Sequence, residues 1–367
     1  MRILHVHPSL KGGGIEAMIC GLANRMAETE DVSVCSIFEP GESDVFYRQL
    51  SPRVQKLTCH KTRNGLSLKE LFVLYRTIRK GHFDIVHMHG FLCYYVLTIF
   101  LMWFSATRFV YTVHNDAVRE NGRWDLKILF LKKWLFRCGR VRPVTISEIS
   151  KASFTELYRC DSHLVYNGTP CPKVDVTKKT DVIVNARKTE HTVVVLNAAR
   201  VDVQKNQLTL CKVIRRLADE GEDIVALIAG SVTNAGSYQE INPYFSDRIV
   251  YLGERNDIPQ LFCECDAFCL PSNWEGLPVT LLESLAVGCI PVCAPVGGVV
   301  NVVTDGYNGI LSASPNEEDY YVAMRRFLSM SATEKEEMRR QGKETFCRYD
   351  ISRTAQEYMD YYRRLME

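Results

Sequence analysis

Two glutamates eight residues apart are the most chemically suggestive feature of the sequence. Glu275 and Glu283 lie in Pro271-Ser272-Asn273-Trp274-Glu275-Gly276-Leu277-Pro278-Val279-Thr280-Leu281-Leu282-Glu283, where a strand pattern ends and a helix pattern begins. Pro278 suits a first helical position, where its missing N–H costs nothing. A carboxylate accepts hydrogen bonds from hydroxyls, so one before the helix and one inside it can hold two sugar rings. Free amides at the helix start can hold phosphates joining those rings. A surface Glu on a capped amphipathic helix is the plain alternative, but Glu283 stands between Leu282 and Leu285.

Cations and glycines add to this. Arg200 follows an apolar run and Lys205 precedes a helical one. Two cations at a strand end and a helix start suit a diphosphate. Gly12-Gly13-Gly14 separates a strand from a helix and lets backbone approach a ligand. Its spacing is neither a dinucleotide fingerprint nor a P-loop, and a plain turn would look the same. His5, His7, His87 and His89 form two His-x-His pairs on strands, where alternate residues share a face. Each pair could offer two imidazoles to a metal, but no carboxylate cluster completes a site, and Asp161 and Asp175 stand alone. No metal is expected.

The elements that must position these residues alternate regularly. Strands are expected at Ile3–His7, Val32–Phe38, Asp84–His89, Phe109–His114, Val144–Ser147 and Leu164–Tyr166. Helices are expected at Glu16–Ala27, Leu68–Lys80, Phe91–Phe104 and Trp124–Phe136. A second strand series runs through Val193–Ala198, Ile224–Ala229, Ile249–Leu252, Ala267–Leu270, Ile290–Ala294 and Gly309–Leu311, with a helix at Val279–Val287. Strands separated by helices imply parallel sheets covered on both faces. The polar stretch Asn167–Glu190 separates the two series. The expected architecture is two doubly wound α/β domains across a cleft, with ligands at the carboxyl ends of the strands.

Composition agrees. The 367 residues are 46% apolar and 24% charged, as in globular proteins. A net charge of +2 gives no case for nucleic acid. Residues 1–170 carry 23 basic against 15 acidic residues, and the remainder 22 against 28, which predicts two units facing different partners, with solvated surface charge as the plain alternative. Fourteen cysteines lack a disulfide framework and the start lacks a signal peptide, which predicts reduced thiols in the cytoplasm. Cys263, Cys265 and Cys269 read as buried thiols. Phe91–Phe104 is too short to span a bilayer, which needs about 20 residues.

Glu275 and Glu283, seven residues between them, within Ser-x-x-Glu-Gly-x-Pro, resemble the signature of retaining glycosyltransferases of the two-Rossmann GT-B fold, family 4. Gly12–Gly14, Val113-His114, Tyr166-Asn167-Gly168-Thr169-Pro170, Ala199-Arg200-Val201-Asp202-Val203-Gln204-Lys205-Asn206, Ile228-Ala229-Gly230 and Asp305-Gly306-Tyr307-Asn308-Gly309 fit the same family in order. One departure is Ala199-Arg200, where the family often has Gly-Arg. The resemblance implies an acceptor-binding domain over 1–168, with a helix at 348–367 packing back on it, and a donor-binding domain over 169–347. It implies that Arg200 and Lys205 clamp the donor diphosphate. Glu275 would contact the transferred sugar, with the amides of Gly276, Leu277, Val279 and Thr280 around sugar and phosphate, and Glu283 would bind the ribose. Gly13 and Gly14 would meet the phosphates from the other domain, with His114 beside the sugar and the base near Gly230, Arg255 and Asn256.

The expected activity is retaining, metal-independent glycosyl transfer (class EC 2.4) from a nucleoside-diphosphate sugar to a glycan or lipid-linked acceptor, serving cell-surface polysaccharide or glycolipid synthesis. No cofactor is expected. An epimerase or phosphorylase on the same fold, or a non-catalytic sugar-nucleotide-binding protein, is the alternative. Residues 119–142 interleave Arg119, Arg123, Lys127, Lys132, Lys133, Arg137, Arg140 and Arg142 with Trp124, Leu126, Ile128, Phe130, Leu131, Trp134, Leu135 and Phe136. That composition predicts peripheral contact with an anionic membrane surface, on its inner face.

Overall fold

A computed structural model describes residues 1–42, 44–63, 65, 67–90, 92–114, 117–120 and 126–367. The described chain divides into one unit of Met1–Pro170 with Asp350–Glu367 and a second of Cys171–Tyr349.

The first unit is built on seven parallel strands: β1 (Arg2–His7), β2 (Asp31–Phe38), β3 (Gln55–Lys61), β4 (Ile85–His89), β5 (Arg108–Val113), β6 (Val141–Thr145) and β7 (His163–Leu164). Their spatial order is β3-β2-β1-β4-β5-β6-β7. Side chains alternate between two cores. Leu4, Val6, Val86, Met88, Tyr111 and Val113 face one. Ile3, Ile85, Val110 and Val144 face the other, together with the helices Gly14–Met26 and Ile351–Met366. Both faces are therefore dry, and the strands read as nearly continuous apolar runs.

The last helix belongs to this unit although the whole second unit precedes it in the chain. Asp350 caps it, its side chain accepting from Ser352 N at 2.8 Å. Ile351 N donates to Thr169 O at 3.1 Å, so the chain leaves and re-enters the unit side by side. Ile351, Ala355, Tyr358, Met359 and Tyr362 form its buried stripe.

The second unit holds β8 (Val193–Ala198), β9 (Ile224–Ala229), β10 (Ile249–Gly253), β11 (Ala267–Leu270), β12 (Ile290–Cys293) and β13 (Ile310–Leu311), in the order β10-β9-β8-β11-β12-β13. All pairs are parallel. The order reverses between β8 and β11, and in such sheets ligands bind beyond the strand ends at the reversal.

Several elements differ from expectation. Strand β3 was not foreseen, because as an edge strand it is largely solvated and its apolar alternation is faint. The helix Glu148–Tyr158 was likewise missed. Pro278 caps the helix Val279–Val287 with extended backbone and is not its first residue. Cys265 and Cys269 are buried, and Cys263 is half-buried. No described helix is long and apolar enough to cross a membrane.

Candidate functional site

In the second unit the segment after β8 and the segment after β11 are laced together. Asn273 N donates to Gln204 O at 2.8 Å, and Asn273 Nδ2 to Val203 O at 2.8 Å. Gln204 Nε2 donates to Trp274 O at 3.0 Å. Asn206, held at φ 52°, donates from Nδ2 to Pro271 O and Pro315 O at 3.1 and 3.2 Å. Lys205 and Glu275 meet across this seam, Nζ to Oε1 at 2.6 Å, and Ser272 Oγ donates to the same Oε1 at 2.6 Å. The pair is nearly dry, its side chains 13% and 4% exposed. A buried pair is held in place because removing either partner strands the other charge.

Arg200 lies just beyond β8 and is exposed, and among the described residues no carboxylate ion-pairs with it. The two cations expected to act alike are thus in different states. Lys205 is engaged by Glu275, and Arg200 is open to an incoming anion.

Close backbone contacts fix the loop around Glu275. A Cβ on Gly297, whose φ is +53°, would lie 1.8 Å from Glu275 O, and one on Gly298 2.2 Å from Gly276 O. Gly298 N donates to Gly276 O at 2.6 Å. Sequence reasoning passed over both glycines and also Ser272 and Gln204 as partners of Glu275. The adjacent pair Gly297-Gly298, just after β12, was the available signal.

Gly276 and Leu277 precede the helix Val279–Val287, and Val279 and Thr280 open it, where the first amides have no helical acceptor. Glu283 is inside that helix. Burial alone pushes its carboxyl up to about 7, which means that packing has desolvated it without supplying a cation. Gly230 packs against the backbone at Arg200, where a Cβ would lie 2.0 Å from Ala199 O. Gly230 N donates to Gly253 O at 2.8 Å, which ties it to the segment holding Arg255 and the exposed Asn256. Arg255 is engaged by Asp257 through bonds of 2.8 and 2.6 Å.

Gly13, Gly14 and His114 belong to the first unit. Gly14 opens the helix Gly14–Met26, and Gly13 precedes it. His114 follows β5, and its Nε2 lies 3.0 Å from His89 Nδ1. His89 Nε2 lies 3.1 Å from His5 Nδ1. His87 uses both nitrogens on hydroxyls, Tyr362 at 2.5 Å and Thr112 at 2.6 Å. Nitrogens of His5, His87 and His89 lie within 4.8 Å of one another. Burial pushes His5 and His114 down to about 3 and His87 and His89 well below the usual imidazole range.

In the basic stretch, residues 121–125 lie outside the described residues, Arg123 and Trp124 included, as do the side chains of Arg119, Leu126, Lys127 and Ile128. Lys132 is buried over the Tyr111 ring, 4.6 Å from its centre. Lys133 donates to Leu157 O and Arg137 to Tyr158 O, at 3.2 and 3.1 Å. Arg140 is spent on the carbonyls of Met102, Ser105 and Thr107. These four cations therefore serve the fold. Among the described side chains around this stretch, Phe100, Leu101, Phe104, Phe130 and Trp134 are exposed, with the Phe100 and Trp134 rings stacked at 5.8 Å, and Arg137 and Arg142 are exposed as well.

The model of glycosyl transferases group 1 matches residues 179–345, and that of glycosyltransferase family 4 matches residues 12–171. The chain is 26% identical over 259 residues to the Escherichia coli UDP-Gal:alpha-D-GlcNAc-diphosphoundecaprenol alpha-1,3-galactosyltransferase, 66% of each chain. It is 32% identical over 126 residues to a Campylobacter jejuni N,N'-diacetylbacillosaminyl-diphospho-undecaprenol alpha-1,3-N-acetylgalactosaminyltransferase, 33% of this chain and 32% of that one. Among solved structures, Anabaena HepE in complex with UDP-glucose superposes with a TM-score of 0.80 at 19% identity, over 99% of this chain and 100% of that one.

Proposed function

The chain belongs to the family 4 glycosyltransferases of the GT-B fold, enzymes that use nucleotide sugars, and from there we propose retaining, metal-independent transfer to a lipid-linked acceptor. The observation that carries this reading is the Lys205–Glu275 pair, set in a seam beside the open Arg200 and the start of the helix Val279–Val287.

In this reading the donor's diphosphate is held by Arg200, by Lys205 and by the helix amides. Lys205 exchanges its contact with Glu275 for one with phosphate as the donor enters. The freed Glu275 carboxylate then faces the sugar, and the carboxylate of Glu283 accepts from the ribose hydroxyls. When the glycosidic bond breaks, negative charge grows on the diphosphate, where fixed cations and helix amides stabilise it and supply what a metal would elsewhere. The acceptor hydroxyl attacks from the face the diphosphate leaves, and its proton passes to a departing phosphate oxygen. Gly13 and Gly14 approach the phosphates and His114 the sugar, while Gly230, Arg255 and Asn256 neighbour the base.

A lipid-linked acceptor is favoured by the two transferases with undecaprenyl-diphosphate names and by the apolar face of Phe100, Leu101, Phe104, Phe130 and Trp134, which suits a bilayer surface. The test is transfer from UDP-sugars to a polyprenyl-diphosphate-linked acceptor in the presence of EDTA. The anomeric configuration of the product is read from its proton couplings. Inverted product, or activity lost to EDTA and restored by magnesium, overturns the corresponding part of the reading.

A further inference from the structure

Strands β8 and β11 separate before they end. They pair at Val195 with Ala267 and at Leu196 with Phe268, and their shared register stops there. On their other sides both ladders run on, Asn197 and Ala198 pairing with β9, and Cys269 and Leu270 with β12. The split falls where the strand order reverses, the place where ligands bind in such sheets. The loops carrying Arg200 and Glu275 leave from its two sides.

Two buried side-chain amides span the split. Asn197 is fully buried, and Gln207, the first residue of the helix Gln207–Asp219, is 2% exposed. Asn197 Nδ2 donates to Cys269 O at 2.8 Å, where the next rung of the β8–β11 ladder would fall. Gln207 Nε2 donates to Asn197 Oδ1 at 3.3 Å and to Arg200 O at 2.8 Å. Both ends of this relay are carbonyls, which only accept, so a single orientation of each amide satisfies them. The relay runs from β11 through β8 to the peptide that carries Arg200. We infer that Asn197 and Gln207 are positioning residues for the donor diphosphate, which set the spacing of the two strand ends and anchor the backbone from which Arg200 reaches. This rests on the reading in which Arg200 holds that diphosphate.

Simple filling of the core is the competing use of these amides. It fits poorly, because Gln207 Oε1 is buried and has no hydrogen-bond partner among the described residues. A bare acceptor in a dry interior costs folding, and an apolar side chain of the same length would not carry it.

The experiment is calorimetric titration of UDP into the whole chain, as the parent, Gln207→Met, Arg200→Ala and the double variant. Met keeps the length of Gln and removes the amide. Gln207→Met should weaken UDP binding roughly 3- to 10-fold, the scale of one hydrogen bond. In the Arg200→Ala background the same change should cost less than about twofold, because the relay acts through Arg200. Gln207→His, which can place a ring N–H near the lost Nε2, should keep most of the affinity. In the parent, the side-chain amide protons of Asn197 and Gln207 should exchange with solvent as slowly as the backbone of β8. Parental affinity in folded Gln207→Met overturns the proposal. So does an equal loss in both backgrounds, which would mark a general effect on the fold. Exchange as fast as that of exposed amides overturns the relay even if no variant folds. Parental affinity in Arg200→Ala refutes the diphosphate reading, and with it the role given to the relay, while the exchange result still decides whether the relay exists.

Discussion

Lys205 and Arg200 are both cations beside the same seam, yet their substitutions should behave differently. Arg200→Ala removes an exposed charge and should leave the melting temperature nearly unchanged. Catalytic efficiency should fall about 10- to 150-fold, the worth of a charge-assisted hydrogen bond. Lys205→Ala should cost similar activity and also strand the buried Glu275 carboxylate, a penalty of about 3–5 kcal/mol. The two cations looked interchangeable in the sequence, as a pair suited to a diphosphate, and it is burial of the Lys205–Glu275 pair that separates them. Adding Glu275→Gln to Lys205→Ala should return most of the stability and none of the activity. Denaturant melts of the three variants check this. Glu283 gives a second test, through pH. Its carboxyl is raised from 4.5 to about 7 by burial, so between those values the folded state keeps a proton that the unfolded state has lost. Stability should therefore fall as pH rises from about 4.5 to 7, by ~3 kcal/mol at most. Glu283→Gln should flatten that slope. By calorimetry, UDP binding should tighten from pH 6 to 8 in the parent and stay flat in Glu283→Gln, because the ribose hydroxyls bind best to the ionised carboxylate, which forms as pH rises through about 7.

The loops act as one element. Gly297→Ala would drive a methyl group to 1.8 Å from Glu275 O at a positive φ, a cost above the ~1 kcal/mol of an ordinary backbone change. Turnover should fall at least tenfold, with the rest of the fold intact by circular dichroism. Normal turnover would mean that the glycines do not set the Glu275 loop. The apolar face carries the next prediction. Phe130→Ser with Trp134→Ser should reduce co-sedimentation with anionic vesicles several-fold. Salt should weaken binding less than eight basic residues would suggest, because Lys132, Lys133, Arg137 and Arg140 are engaged inside the unit. No sedimentation at low salt would remove the membrane claim. Elements with dense apolar patterns, such as β8, β9, β11 and the helix Val279–Val287, could be read from the sequence to the residue. Edge strand β3 could not, since half of it faces water and its pattern dissolves. At the site, Glu275 and Lys205 were each legible by type and spacing. Their pairing was not, because 70 residues separate them and only the β8–β11 reversal brings the two loops together. The contacts of His5, His89 and His114 stayed hidden for the same reason, since each ring comes from a different part of the sequence, and His114 was read only for its place beside the sugar.

At the scale of the molecule, the decisive feature is that the helix Ile351–Met366 completes the first unit. Tyr362→Ala should remove a fully buried ring and cost about 3–5 kcal/mol. Hydrogen exchange should then speed up in β1, β4 and β5 and leave β8, β9 and β11 unchanged. Equal acceleration in both units would mean that they unfold together. The same helix also sets an order in time. Synthesis generally lets the first domain fold first, at about 5–20 residues per second, but here the first 170 residues lack their last 18 until the intervening unit has been made. For the roughly 10–40 s that those rates imply, the face carrying Ile3, Ile85 and Val110 has no partner for the side that Tyr358 and Tyr362 will cover. The second unit, contiguous in the chain, can close before the first. A nascent chain arrested before residue 350 should thus protect β8–β13 from protease while β1–β7 remain cleavable. The unit that is translated first would be the one a chaperone has to hold.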